Sequence, residues 1–169
     1  ALAGFEPLMP KTAQEKMIWA CLIAVMIVSC LQCGAPPIGN DALAYHLDHP
    51  KHFIQNHKIS YLPLTRESLW PFQTEMLFTI GLLLQGTTLA QLFHWSFYLL
   101  TTVSVYLFGR RHYGTNAGGW SALIFAFSPV VFAQSSEAYV DLSLTFFIFL
   151  SLAVLWMRDE LGDQKAGVL

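Results

Sequence analysis

One segment of the chain concentrates side chains that could carry out proton transfer. It begins at Asp41, the first charged residue after the long uncharged run 17–40, and it continues through Tyr45 and several histidines. A carboxylate in a loop at a membrane surface can serve as a general base for a hydroxyl nucleophile. Asp41 is therefore the first catalytic candidate. The alternative interpretation is that Asp41 only caps a short helix that ends before Pro50.

A second pair of carboxylates, Glu137 and Asp141, lies four residues apart. On a helix this spacing places both side chains on one face, where like charges repel unless a cation lies between them. The alternative is structural. Both acids would then lie in the first turn of the last helix, where the helix dipole favours them, with Ser135 or Ser136 as the cap.

Three histidines of the first loop, His46, His49 and His52, follow a period of three and raise the question of a zinc site. No cysteine or spaced carboxylate set completes a tetrahedral site with them, so we expect no metal. His94 lies inside an apolar run, where an ionisable residue is costly and is a functional candidate. The alternative for His94 is a hydrogen bond between helices.

The composition indicates an integral membrane protein. Hydrophobic residues make up 54% of the chain and charged residues only 12%, whereas soluble domains carry about 25% charged residues. The charges separate uncharged runs at 17–40, 76–109, 112–136 and 142–157. Runs of about 18 or more such residues predict transmembrane helices. We therefore predict an all-α, polytopic transmembrane helix bundle. With a net charge of −2, no nucleic-acid partner is expected.

The number of spans depends on the run 76–109. As one helix it would be about 51 Å long, whereas a single crossing needs about 30 Å. Gly86 and the two threonines after it break the run. Either two short spans meet there, which gives five spans, or 72–85 lies in the interface and 88–109 is the only crossing, which gives four. The four-span prediction places the spans at 16–34, 88–109, 116–134 and 138–157.

Charge bias does not decide between these layouts. With four spans, six of the nine basic residues share the side of the N-terminus, which is then cytoplasmic; with five spans, seven share the side of the long loop. Segment length favours four spans, because 72–85 would reach only about 21 Å.

Several motifs resemble one family in their order and spacing. They are Asp41-x-x-x-Tyr45-His46-Leu47-x-x-Pro50, Pro71-x-x-x-Glu75-Met76-Leu77, Ala90-Gln91-Leu92-x-His94-Trp95, Tyr106-x-x-Gly109-Arg110-Arg111-x-Tyr113-Gly114, and Ser128-Pro129 followed by Glu137-Ala138-Tyr139-Val140-Asp141. Over residues 15–157 the chain resembles the N-terminal part of bacterial C-type (GT-C) glycosyltransferases. The motifs look like those of the superfamily of dolichyl-phosphate-mannose-protein mannosyltransferases and aminoarabinose transferases.

The resemblance implies transfer of a sugar from a polyprenyl-phosphate donor to an acceptor hydroxyl outside the cytoplasm. It implies Asp41 at the catalytic position of the first external loop and a second acidic site at Glu137 and Asp141. The developing charge on the leaving lipid phosphate needs cations rather than a cofactor. The available cations are His46, Lys51, Lys58 and Arg66. Short helices along the membrane are expected in the family's first loop, which supports four spans.

The resemblance also implies an organisation. Residues 1–169 would form one membrane domain in the inner membrane of a bacterium, with 34–87 as an external loop that carries interfacial helices. Family members are longer, and they bind the donor phosphate with later loops as well. The competing interpretation is therefore a non-catalytic structural subunit of a larger membrane complex. On either interpretation we expect membrane lipids and other membrane protein subunits as partners, and no activity from this chain alone.

Overall fold

The computed structural model describes residues 10–63 and 65–166, with side chains described as far as Arg158. Throughout these residues the regular structure is helical, which confirms the predicted all-α class. Seven α-helices follow one another: α1 Ala13–Gln32, α2 Asp48–Asn56, α3 Gln73–Leu84, α4 Thr87–Tyr113, α5 Thr115–Phe127, α6 Pro129–Ser135 and α7 Asp141–Ala166. A π-helical turn, Ala42–His46, precedes α2, and a 3₁₀ turn, Arg66–Leu69, precedes α3.

Three helical segments of the described chain are long and apolar enough to cross a membrane: α1, α4 and the Asp141–Arg158 part of α7. A fourth arises if α5 and α6 count as one span, since they pass the same test together but are bent by 66°. The bend falls at Pro129, the first residue of α6, where a proline ring lacks the N–H that would continue the helix. The shorter α3 is also apolar.

The long apolar run 76–109 is divided between two helices. Gly86 has a φ of +83° between α3 and α4, a backbone conformation that glycine adopts without steric cost. Past this turn α4 packs against α3, and a Cβ on Gly81 would lie 2.7 Å from the backbone nitrogen of Ala90. The break predicted around Gly86 is therefore confirmed.

Helix α4 is the centre of the bundle and packs against α1, α3, α5, α6 and α7. It also approaches α5 closely, where a Cβ on Gly109 would lie 2.9 Å from the Cα of Gly118. Small residues allow two backbones to come this close. The buried side chains of the main cluster are Ile18, Leu22, Val25, Tyr98, Tyr106, Ala122, Ala126 and Leu142.

The start of the last helix differs from the prediction. Helix α7 begins at Asp141, not at 138, and Glu137 lies in the turn 136–140 that joins α6 to α7. Glu137 and Asp141 therefore do not share a helix face, and the first-turn interpretation is wrong for Glu137. Ser135 is no cap either, because its hydroxyl donates to the carbonyl of Phe132 within α6. The physical reason is that the Glu137 carboxylate accepts hydrogen bonds from a distant part of the chain.

Candidate functional site

Two loops meet at one end of the bundle. The carboxylate of Glu137 accepts hydrogen bonds from the backbone N–H groups of Ile38 (3.3 Å) and Gly39 (3.1 Å), almost one hundred residues earlier in the sequence. The two segments are close here, since a Cβ on Gly39 would lie 2.6 Å from the Tyr139 hydroxyl and would require that side chain to shift. The loop that leads to Asp41 is thus tied to the turn that leads to Asp141.

Asp41 lies directly before the π-helical turn but does not cap it. Its own backbone is already helical, with φ −69° and ψ −35°, and its side chain makes no cap hydrogen bond. The carboxylate instead lies near the side chain of Tyr45, whose pKa it raises, and accepts a hydrogen bond of 3.5 Å from the Asn40 amide. The helix-cap interpretation of Asp41 is therefore wrong, and its exposed carboxylate remains accessible.

The phenol of Tyr139 lies close enough to all three candidate carboxylates for their charges to act on its pKa. Burial raises the pKa of Tyr139, and the charges of Asp41, Glu137 and Asp141 raise it further, while the backbone N–H of Asp41 that faces the hydroxyl acts in the opposite direction. Nearby negative charge disfavours a phenolate. Tyr139 therefore keeps its proton beside a group that we call the carboxylate cluster: Asp41, Glu137 and Asp141.

Tyr45 forms a second neutral phenol on the same group. Burial raises its pKa to about 12, and the hydrogen bond and charge of Asp41 contribute in the same direction. Its ring packs edge-to-face on Trp70, with centroids 5.6 Å apart. The cluster is thus bordered by two phenols that keep their protons at neutral pH.

His46 does not lie where a phosphate could reach it. Its side chain is 4% exposed, and its Nδ1 lies 2.8 Å from Oε1 of Glu75, which is also buried. This pair joins the π-helical turn after Asp41 to the first turn of α3. This position does not support the prediction that His46 binds the phosphate. The partner of His46 is Glu75 instead. The sequence signal for Glu75 was its position as the last charge before an apolar run.

The other predicted cations are exposed. Arg66 lies beside Glu67, with Nε and Oε1 3.8 Å apart, and its guanidinium is 6.0 Å from the centroid of the Trp70 ring. Lys51 and Lys58 project from α2 and from the end of that helix. Among the described residues none of the three forms an ion pair with the carboxylate cluster.

The three histidines with a period of three have separate partners. His46 pairs with Glu75, His49 Nε2 lies 3.1 Å from the hydroxyl of Thr65, and His52 Nε2 lies 3.5 Å from Asp48 Oδ2. Burial lowers the pKa of His49 below its usual 6.5. No group of three possible ligands converges within the described residues.

Two buried side chains of α4 hold the turn 136–140. The Gln91 amide donates to the carbonyl of Ser136 at 2.7 Å, and the backbone N–H of Leu142 donates to Nε2 of His94 at 3.3 Å. His94 therefore fixes the start of α7, and with it Asp141, by a hydrogen bond between helices. The role of Gln91 was not predicted from the sequence, because an uncharged residue in an apolar run carries no distinct signal.

A cleft of about 180 Å³ opens beside the cluster. Among its lining residues are Gln32, Pro36, Ile38, Gln91, Ser136 and Glu137. Glu137 therefore belongs both to the carboxylate cluster and to the wall of the cleft.

No protein-family model, no curated protein and no solved structure matches the chain. A functional assignment therefore rests on the residues and on their geometry.

Proposed function

We propose that the protein is a GT-C-like membrane glycosyltransferase that moves a sugar from a polyprenyl-phosphate donor to an acceptor hydroxyl outside the cytoplasm. The single observation that carries the proposal is the meeting of the Asp41 loop with the turn 136–140 around the Tyr139 hydroxyl. Carboxylates from distant parts of the sequence converge there, at one end of a bundle of apolar helices.

The same contact supports a four-span topology. In a five-span layout α3 and α4 would both cross the membrane, so that Gly39 and Glu137 would lie on opposite faces. Their hydrogen bond of 3.1 Å favours a layout in which both residues lie on one face. We therefore place 34–86 and 136–140 outside, both termini in the cytoplasm of a bacterium, and α3 in the interface, because its 12 residues reach only about 18 Å.

In this proposal Asp41 is the general base. Its exposed carboxylate accepts the proton of the acceptor hydroxyl while that oxygen attacks the anomeric carbon. The bond from this carbon to the phosphate oxygen breaks, and the lipid phosphate leaves with the electron pair. Glu137 holds the Asp41 loop in place through its backbone hydrogen bonds, and Asp141 provides the second carboxylate for the sugar.

The leaving phosphate needs positive charge but no proton. Lys51, Lys58 and Arg66 are the exposed cations on the same loop, and their long side chains can move to meet an anion. His46 has no part in this step, because it is buried against Glu75.

A transfer assay tests the proposal. The protein, purified from its native membrane with any bound partners, is given a labelled sugar on a polyprenyl phosphate, and transfer to an acceptor is measured. We expect Asp41→Asn to reduce the rate by about 10²-fold or more, which is the usual contribution of a general base. Asp48→Asn is the matched control and should stay within about 3-fold, since it removes a carboxylate of the same loop outside the cluster. Wild-type activity in Asp41→Asn would contradict the proposal.

A further inference from the structure

A tryptophan at the end of the 3₁₀ turn is nearly half exposed. Trp70 follows directly after the turn Arg66–Leu69, and 46% of its surface is accessible. The turn is held from within, because the Ser68 hydroxyl donates to the carbonyl of Thr65 at 2.8 Å and the backbone N–H of Trp70 donates to the carbonyl of Glu67 at 3.0 Å. A large aromatic ring that is held in place and still exposed is a candidate contact for a ligand.

One side chain joins this ring to the proposed base. The ring of Tyr45 packs edge-to-face on Trp70, with centroids 5.6 Å apart. Burial raises the pKa of Tyr45, and Asp41 raises it further. The charges of Asp141 and Glu67 act in the same direction, so three carboxylates lie near this phenol. Trp70 therefore borders the group of carboxylates that the proposed reaction uses.

The polar groups around the ring are of the kinds that bind hydroxyl groups. Carboxylates accept hydrogen bonds from hydroxyls, and a guanidinium donates to hydroxyl oxygens. Asp41 is exposed, and the side chain of Glu67 is partly exposed. The guanidinium of Arg66 is exposed too and lies 6.0 Å from the centroid of the Trp70 ring. Acceptors and a donor are thus grouped around one flat apolar surface.

This combination matches the chemistry of a saccharide. A pyranose ring carries C–H groups on one face and hydroxyl groups around its rim. The C–H groups are weakly positive and pack on the negative face of an aromatic ring. We propose that a sugar ring packs on Trp70, with its hydroxyls bound by Asp41, Glu67 and Arg66. Such a platform deepens the proposed function, on which its role in a reaction rests, whereas sugar binding itself can be measured without transfer.

A lipid headgroup is the other ligand that a tryptophan at a membrane surface can meet, as in the aromatic belts of membrane proteins. The charges near the ring favour the sugar. The carboxylates of Asp41, Asp141 and Glu67 act on the neighbouring Tyr45, and like charge disfavours the phosphate of a headgroup. Sugar hydroxyls are neutral and donate to carboxylates.

Saturation-transfer NMR on the purified protein in lipid nanodiscs tests the proposal. Methyl α-mannopyranoside, methyl β-glucopyranoside, methyl β-galactopyranoside and N-acetylglucosamine are compared with sorbitol, which carries hydroxyls but has no ring face. We expect a saturable signal from at least one of the sugars, strongest at the C–H protons of one ring face, and none from sorbitol. The absence of a saturable signal from every sugar, or an equal signal from sorbitol, would overturn the proposal.

Variants assign the signal to Trp70. Trp70→Leu removes the aromatic face, so it should weaken sugar binding by about tenfold or more, which is about 1.4 kcal/mol. Trp70→Tyr keeps an aromatic face and should bind more tightly than Trp70→Leu. Trp120→Leu is the matched control, because Trp120 lies on α5 and is 42% exposed; it should leave binding unchanged.

Unfolding temperatures show whether each variant is folded. Unchanged sugar binding in folded Trp70→Leu would contradict the proposal. If that variant does not fold, Glu67→Ala takes its place. It removes one of the acceptors beside the ring and should weaken binding, and unchanged binding in Glu67→Ala would then be the contradicting result.

Brominated phosphatidylcholine in the nanodiscs distinguishes a lipid from a sugar as the ligand. Bromine atoms on the acyl chains quench nearby indole fluorescence, and the part of the quenching that disappears in Trp70→Leu belongs to Trp70. We expect no such part. Quenching of Trp70 itself would place its ring in the bilayer and overturn the proposal.

Competition separates the two sources of the sugar. A short-chain isoprenyl phosphate that carries the sugar is added to the protein with its bound methyl glycoside. Displacement identifies the sugar of the donor, and simultaneous binding identifies the sugar of the acceptor; either result supports the platform. Sugar binding without transfer would refute the proposed function alone, whereas transfer with unchanged sugar binding in folded Trp70→Leu would refute the platform alone.

Discussion

Asp41 is available for chemistry because its neighbours carry out the structural tasks around it. The π-helical turn forms without a cap from the Asp41 side chain. Glu137 holds the preceding loop, and the His46–Glu75 pair ties the turn to α3. A base must be positioned by groups that do not themselves react. This division of roles underlies two predictions at the residue scale.

The first concerns the buried His46–Glu75 pair. Glu75→Ala leaves the His46 ring without its partner at 2.8 Å, so we expect a loss of about 1–3 kcal/mol in the free energy of unfolding. Chemical unfolding in detergent measures it. Glu67→Ala, next to an exposed Arg66, should cost less than about 1 kcal/mol. In the double variant of His46 and Glu75 the losses should not add, and strict additivity would show that the two residues are not coupled.

The second concerns pH. Burial lowers the pKa of His49 in the folded state, whereas the unfolded chain takes up its proton near pH 6.5. The contribution of neutral His49 is therefore fully present above pH 6.5 and is lost as the pH falls through its lower folded pKa. We expect the unfolding temperature to fall on acidification below pH 6.5, and to fall less in His49→Gln. NMR titration of the His49 ring should give a pKa below 6.5, and a value above it would refute this account.

The three carboxylates are candidates from the sequence because each lies beside an apolar run, where a charge is costly, and their role as site residues stays a prediction. The sequence was not sufficient to show that His46 is buried. That depends on α3 packing against α2, which brings Glu75 to His46 across twenty-nine residues. Gln91 was missed for a similar reason, since its importance arises only from its contact with Ser136.

At the scale of elements, the position of the cluster depends on how closely α5 packs on α4. A Cβ on Gly118 would lie 2.6 Å from the carbonyl oxygen of Tyr106 and 2.7 Å from the nitrogen of Arg110. Both are backbone atoms of a helix and cannot move independently. The position of the turn after α6 therefore depends on the contact between Gly118 and α4 at the other end of α5.

Because of this contact, we expect alanine at Gly118 and alanine at Gly119 to lower the stability of the fold by different amounts. Gly118→Ala should destabilise the fold by about 1–3 kcal/mol, the usual cost of overpacking, as measured by unfolding in detergent. Gly119→Ala is the matched control on the same helix, because its Cβ would meet the Ile18 side chain at 3.1 Å instead of backbone. Gly119→Ala should lower the free energy of unfolding by less than Gly118→Ala does. Equal stability of both variants and the wild type would show that α4 and α5 are not in close contact.

Apolar runs and glycine breaks were enough to predict most helices, since hydropathy and backbone freedom are local properties. The start of α7 was predicted too early. Residues 138–140 have the composition of a helix, but the carboxylate of Glu137 is held by Ile38 and Gly39. A long-range contact thus overrides the local preference for helix.

At the scale of the whole molecule, the outer faces are apolar. Large exposed side chains on the last helix include Leu144, Phe147, Ile148, Leu152 and Trp156. Apolar surface of this extent needs lipid or another membrane protein as its neighbour. The carboxylate cluster lies at one end of helices that are long and apolar enough to cross a membrane.

The central claim is that the Asp41 loop and the turn 136–140 work together on the outer face, and labelling from outside the cell tests it most directly. Lys58→Cys lies in the first loop and Asn116→Cys at the start of α5; both positions are exposed. A membrane-impermeant thiol reagent is applied to intact cells, and labelling of the parent chain is subtracted to account for Cys21, Cys30 and Cys33. We expect the cysteine at position 58 to be labelled in intact cells and the cysteine at position 116 to be labelled only after permeabilisation. Labelling at 58 that requires permeabilisation would place the cluster in the cytoplasm and contradict the account.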